Sequence, residues 1–68
     1  NPFTETVQIN VIEKATVTIS SITGQVILRT ILPAGINTIT LANQQSGTYL
    51  LNVLTDKSSS NAIIVKSN

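Results

Sequence analysis

The stretch Val17-Thr18-Ile19-Ser20-Ser21-Ile22-Thr23-Gly24 decides the fold class. Val17 and Ile19 alternate with Thr18 and Ser20, a period of two that puts apolar side chains on one face of an extended strand. Ser21 to Gly24 then reads as a turn. The serine hydroxyl can bond its own backbone, and the glycine can take a positive φ. The same reading holds on both sides. Toward the N-terminus, Val7, Ile9 and Val11 alternate with Gln8 and Asn10, and Glu13-Lys14 makes a polar turn. Toward the C-terminus, Gln25 to Leu32 is a β-rich run, expected to bend or split near Arg29, and Pro33-Ala34-Gly35 breaks it. Ile39 and Leu41 alternate with Thr38 and Thr40, and Ala42 to Ser46 is a polar loop. Gly47 opens a strand in which Tyr49, Leu51 and Val53 share a face. Asp56 to Asn61 is expected to be a Ser-rich hairpin loop, and Ile63 to Val65 the last strand.

Six strands result, or seven if the Gln25–Leu32 run divides. They recur every ~8–12 residues with turns between, the spacing of a sandwich. Connections this short favour antiparallel pairing. Composition agrees: Thr, Val and Ile are 26 of 68 residues, and β-branched side chains fit a pleated surface better than a helix. The fold expected is all-β, a small immunoglobulin-like antiparallel sandwich of six or seven strands spanning 1–68 as a single domain. A chain of this length buries only ~60% of its unfolded surface, so its stability is marginal.

Composition also bounds the chemistry. With no Cys and no His, the usual zinc donors and the usual base of a nucleophilic triad are missing. Lys57 neighbours Ser58, Ser59 and Ser60, but a lysine in a solvated loop is not desolvated and activates nothing. A glycosidase-like pair would need two of Glu5, Glu13 and Asp56 across a cleft of ~300 Å3, for which a chain this small has little room. Calcium wants six to eight oxygen ligands, and three scattered acids are a poor supply. No cofactor is expected. Four Lys/Arg against three Asp/Glu give a net charge of +1 with no basic stripe, which argues against nucleic acid. No apolar run approaches membrane-spanning length. The start at Asn1-Pro2, without Met or leader, suggests a piece of a larger secreted protein.

Two features concern contacts. Tyr49 is one of only two aromatic residues; it is expected in the core with its hydroxyl at the rim. Leu50 and Leu54 lie opposite the Tyr49 face, and Ile64 opposes Ile63 and Val65. Leu50, Leu54 and Ile64 are therefore expected to form a surplus apolar face for an upstream domain, a second copy or a receptor. Unpaired sheet edges offer self-association or strand addition as a second route. Lys66 is expected to be exposed and to contribute little to stability.

The ordered pieces Asn1-Pro2, Val17 to Val26, Gly35 to Leu41, the Gly47-Thr48-Tyr49 strand and Ile63-Ile64-Val65-Lys66 resemble the C-terminal sorting domain of type IX secretion, type A (the Por secretion tail family). The resemblance spans the whole chain. It implies an immunoglobulin-like sandwich that catalyses nothing and serves as an address on exported proteins of certain Gram-negative bacteria. It implies passage through the periplasm, recognition by type IX components, cleavage upstream by a sortase-like peptidase, and an upstream cargo delivered to the cell surface or medium. Carried onto this chain, recognition would involve Gly24, Gly47, Tyr49, Ile63, Val65 and Lys66. A fibronectin-like spacer or a small carbohydrate-binding module of a cell-surface protein is the alternative. A spacer would be followed by further domains, and a binding module would expose an aromatic platform.

Overall fold

The computed structural model describes residues 2–3, 6–41 and 44–66. Seven strands run in chain order: β1 (Pro2–Phe3), β2 (Thr6–Val11), β3 (Ala15–Ser21), β4 (Val26–Leu32), β5 (Gly35–Thr40), β6 (Gly47–Leu54) and β7 (Ser59–Lys66). No helix occurs among the described residues. One sheet has the order β1-β7-β6-β3-β4; β2 and β5 form the second. The all-β sandwich read from the period of two is the fold observed.

Each strand forms for the reason its pattern gives. On β2, Ile9 and Val11 are buried while Thr6, Gln8 and Asn10 are exposed. On β3, Ala15, Val17 and Ile19 are buried. The β3–β4 turn takes the predicted shape. Ser21 N–H donates to the Gln25 carbonyl at 2.9 Å and Gly24 N–H to the Ser21 carbonyl at 2.9 Å. The Ser21 hydroxyl also accepts from Gln25 N–H at 3.2 Å. Gly24 sits at φ +96, where a Cβ would meet no atom but would strain the backbone.

The core is one cluster joining Ile9, Val11 and Ile39 of the small sheet to Val17, Ile19, Tyr49, Leu51 and Ile64 of the large one. Val17 and Ile19 are fully buried, and each contributes about 1.5–3 kcal/mol by leaving water. Cross-strand partners share a face, so the register fixes what joins them: Val17 opposes Val53, and Ile19 opposes Leu51.

Four details differ from the sequence reading. β4 is one continuous strand rather than two; the seventh strand is β1. That strand pairs with β7 in parallel, Pro2 opposite Val65, whereas all other pairings are antiparallel. The β6–β7 turn is tighter than Asp56 to Asn61, because Ser59, Ser60 and Asn61 already belong to β7. They pair with Leu54, Val53 and Asn52, and their hydroxyl and amide groups tolerate an edge strand. The fourth is Ile64, which is not part of the outer apolar face. It is 2% exposed, because register sets it opposite the buried Tyr49.

Candidate recognition surface

The β6–β7 hairpin is built from its turn. Thr55 N–H donates to the Ser58 carbonyl at 2.8 Å. The Thr55 hydroxyl accepts from the backbone N–H groups of Lys57 and Ser58 at 3.2 and 3.0 Å. This closure leaves Leu54 opposite Ser59 and carries the register to Gly47 opposite Lys66. Midway, Asn52 Nδ2 lies within donating distance of Ser59 Oγ, the Ser60 carbonyl and Asn61 Oδ1, at 3.2, 3.3 and 3.0 Å. These contacts hold the register against slippage.

Five of the six candidate residues fall in the far half of this hairpin. Gly47 opposes Lys66, Tyr49 opposes Ile64, and Thr48 opposes Val65. Ile63 stands opposite Leu50. Gly24 lies in the neighbouring hairpin at the same end of the sheet, just beyond the Ser21–Tyr49 pair. The two faces divide them. Tyr49, 7% exposed, packs in the core as expected, and its hydroxyl donates to the Gln45 carbonyl. Gly47, at φ +152, turns the chain between that tethered loop and β6.

Lys66 departs from its expectation. It is only 6% exposed because it follows Ile64 in step and falls on the inner face, across from a glycine with no side chain.

Ile63 and Val65 point outward. Ile63 is 62% exposed and Val65 is the less exposed of the two. Leu50 and Leu54 share this outer face and are exposed, as the sequence indicated. Val26 and Ile31 of β4, not anticipated, extend it. The register arranges the face in bands. Val26, Ser20, Leu50 and Ile63 form one row. Arg29, Thr18, Asn52 and Asn61 form a polar row beside it. Ile31, Thr16, Leu54 and Ser59 form the next. Arg29 Nε donates to Thr18 Oγ1 within the polar row, at 3.4 Å. An open groove of about 490 Å3 lies along Leu50, Asn61, Ala62 and Ile63.

A second cleft, of about 320 Å3, opens at the opposite end, between the β2–β3 and β6–β7 turns. Its lining includes Glu13, Lys14, Ile31, Leu54 and Asp56, so the chain has room for a cleft that its size argued against. Glu5 lies outside the described residues. Lys57 is exposed on the turn, and Ser59 and Ser60 stand in β7, so the Ser-rich stretch is ladder and turn.

The outward apolar row could have been found from the unbroken apolar run at β7 combined with the turn length. The Val26 and Ile31 contribution required knowing that β4 neighbours β3.

A family model described as the secretion system C-terminal sorting domain matches residues 1–67 of the 68. No curated protein and no solved structure matches the chain. The family is one of sorting signals rather than catalysts. With a seven-stranded sandwich and a match across essentially its whole length, the chain belongs to the family of type IX secretion C-terminal sorting domains.

Proposed function

We propose that this domain is a non-catalytic address, read by the type IX machinery in the periplasm, that takes an attached upstream cargo across the outer membrane. A sortase-like peptidase then cuts on the N-terminal side of the domain, and the cargo remains at the cell surface or enters the medium. The observation that carries this reading is the family match over residues 1–67. The surface supports it. A sandwich that needs only one apolar face per sheet keeps a second on the β6–β7 hairpin, and exposed apolar surface of this kind marks a contact.

Within that reading the candidate residues take two roles. Ile63 and Val65, with Leu50 beside them, touch the receptor. Gly47, Tyr49 and Lys66 hold that hairpin in shape, and Gly24 holds the neighbouring β3–β4 turn.

The test is a fusion of residues 1–68 to a neutral reporter bearing a signal peptide, expressed in a strain with a working type IX system and in one without. The reporter is expected at the surface or in the medium of the first strain only. Retention in the periplasm of both would overturn the reading.

A further inference from the structure

The outer face of the large sheet sets one charge between two apolar rows. Val26, Ser20, Leu50 and Ile63 lie on one side of the polar row Arg29, Thr18, Asn52 and Asn61, and Ile31, Thr16, Leu54 and Ser59 lie on the other. Arg29 is the only charged side chain in the three rows. It is exposed on β4, between Val26 and Ile31, which are exposed too. Rows two residues apart along a strand are ~7 Å apart. A partner that covers both apolar rows therefore covers Arg29 as well.

The hydrogen bonds turn the polar row toward such a partner. Arg29 Nε donates to Thr18 Oγ1, which uses one guanidinium N–H and leaves those of the terminal nitrogens. The Ser60 carbonyl can only accept, so Asn52 turns its Nδ2 toward it. Asn61 then presents Oδ1 to the same Nδ2, and its own Nδ2 is directed away from Asn52. Both ends of the row offer donors.

Stripping water from an arginine is unfavourable unless an anion replaces it. The described carboxylates do not: Glu13 and Asp56 line the cleft between the turns. A second copy laid face to face would bring another Arg29 and no carboxylate in these rows, so both cations would be buried without an anion. We propose that the type IX receptor covers this face with an apolar surface carrying an aspartate or glutamate that seats on Arg29 between Val26 and Ile31, an inference that rests on the sorting function above. The guanidinium holds the carboxylate through paired N–H donors. Asn61 takes an uncharged acceptor about three strand spacings away, ~14 Å, beside the groove along Leu50, Ala62 and Ile63. The apolar rows supply the burial. The charge pair fixes the register and rejects surfaces that lack the anion.

Charge reversal is the probe. In the reporter fusion, Arg29→Glu is expected to melt near the parent temperature, because Arg29 is exposed. It is expected to reach the surface or medium about tenfold less than the parent, the scale of a lost interfacial charge pair. Arg29→Lys keeps the charge without the fork and should fall between the two. Lys57→Glu makes the same change in net charge on the turn and should travel like the parent; retention of this variant would reduce the effect to net charge and overturn the proposal. Folded Arg29→Glu that travels like the parent also overturns it, leaving the face to an upstream domain and the sorting function standing. Retention of the parent itself overturns the sorting function instead. Should Arg29→Glu fail to fold, binding of the domain to outer-membrane vesicles decides. The parent is expected to bind vesicles from a type IX strain more tightly than vesicles from a strain lacking the system, and Arg29→Gln is expected to lose that difference. A difference that survives in Arg29→Gln overturns the proposal. Equal binding of the parent to both vesicles overturns it in favour of a lipid anion, and a parent dimer in sedimentation that Arg29→Gln dissociates overturns it in favour of a second copy.

Discussion

Strand β2 and the β6–β7 hairpin are made of similar residues and are patterned differently. On β2 the alternation is clean: Ile9 and Val11 enter the core while Gln8 and Asn10 face water. On β6 and β7 both faces carry apolar side chains, with Tyr49, Leu51 and Ile64 inside and Leu50, Leu54, Ile63 and Val65 outside. A strand that only closes a sandwich needs the first pattern. The second spends solubility on surface that folding does not require, which separates the part that builds the domain from the part that meets a partner.

The largest effect that could break this comparison is at Tyr49. Its truncation to alanine is expected to cost about 3–5 kcal/mol, a large share of the ~3–10 kcal/mol available to a domain of this size. Chemical denaturation should show the loss, and an unchanged midpoint would remove Tyr49 from the core. Next come the adjacent isoleucines, which sharpen it most. Ile64→Ala is expected to cost about 2–4 kcal/mol as a core cavity, while Ile63→Ala should stay within about 0.5 kcal/mol as a surface change. Equal costs in a denaturant titration would mean the two faces are misassigned. Gly24→Ala should cost about 1–2 kcal/mol, since a side chain at positive φ is strained there, and its thermal midpoint should fall without any loss of export per folded molecule. Smallest is Asn52→Ala, about 0.5–1.5 kcal/mol for the lost contacts to β7. Faster amide exchange than in the parent at Ser60 and Ala62, which bond to β6 in the ladder begun at Thr55–Ser58, would confirm the stitch, and identical exchange would refute it.

The fold was legible because alternation and turn chemistry agreed along most of the chain. Val17 to Gly24 alone specifies a strand and its turn, and the structure reproduces both. The face of the last strand was not legible. Ile63, Ile64 and Val65 are all apolar, so period two has no phase there. The phase comes from the tight Thr55–Ser58 closure, which a run of serines conceals. Lys66 differs for the same reason: charge suggests solvent, and register puts it on the inner face, where it is buried. The parallel pairing of β1 with β7 depended on strand order, which the two residues of β1 do not disclose.

The pairing of β3 with β6 has a consequence in time. Val17 meets Val53 across a long intervening chain that must first fold β4 and β5 aside. Hairpins close in about 1–10 μs, but an isolated two-stranded hairpin is marginal in water, and sheets built on distant pairings form in about milliseconds to seconds. The β6–β7 hairpin can therefore flicker early, yet the outward row through Leu50 and Ile63 becomes a lasting feature only once β3 has docked. A receptor that needs that row would pass over nascent chains and engage those that have finished folding.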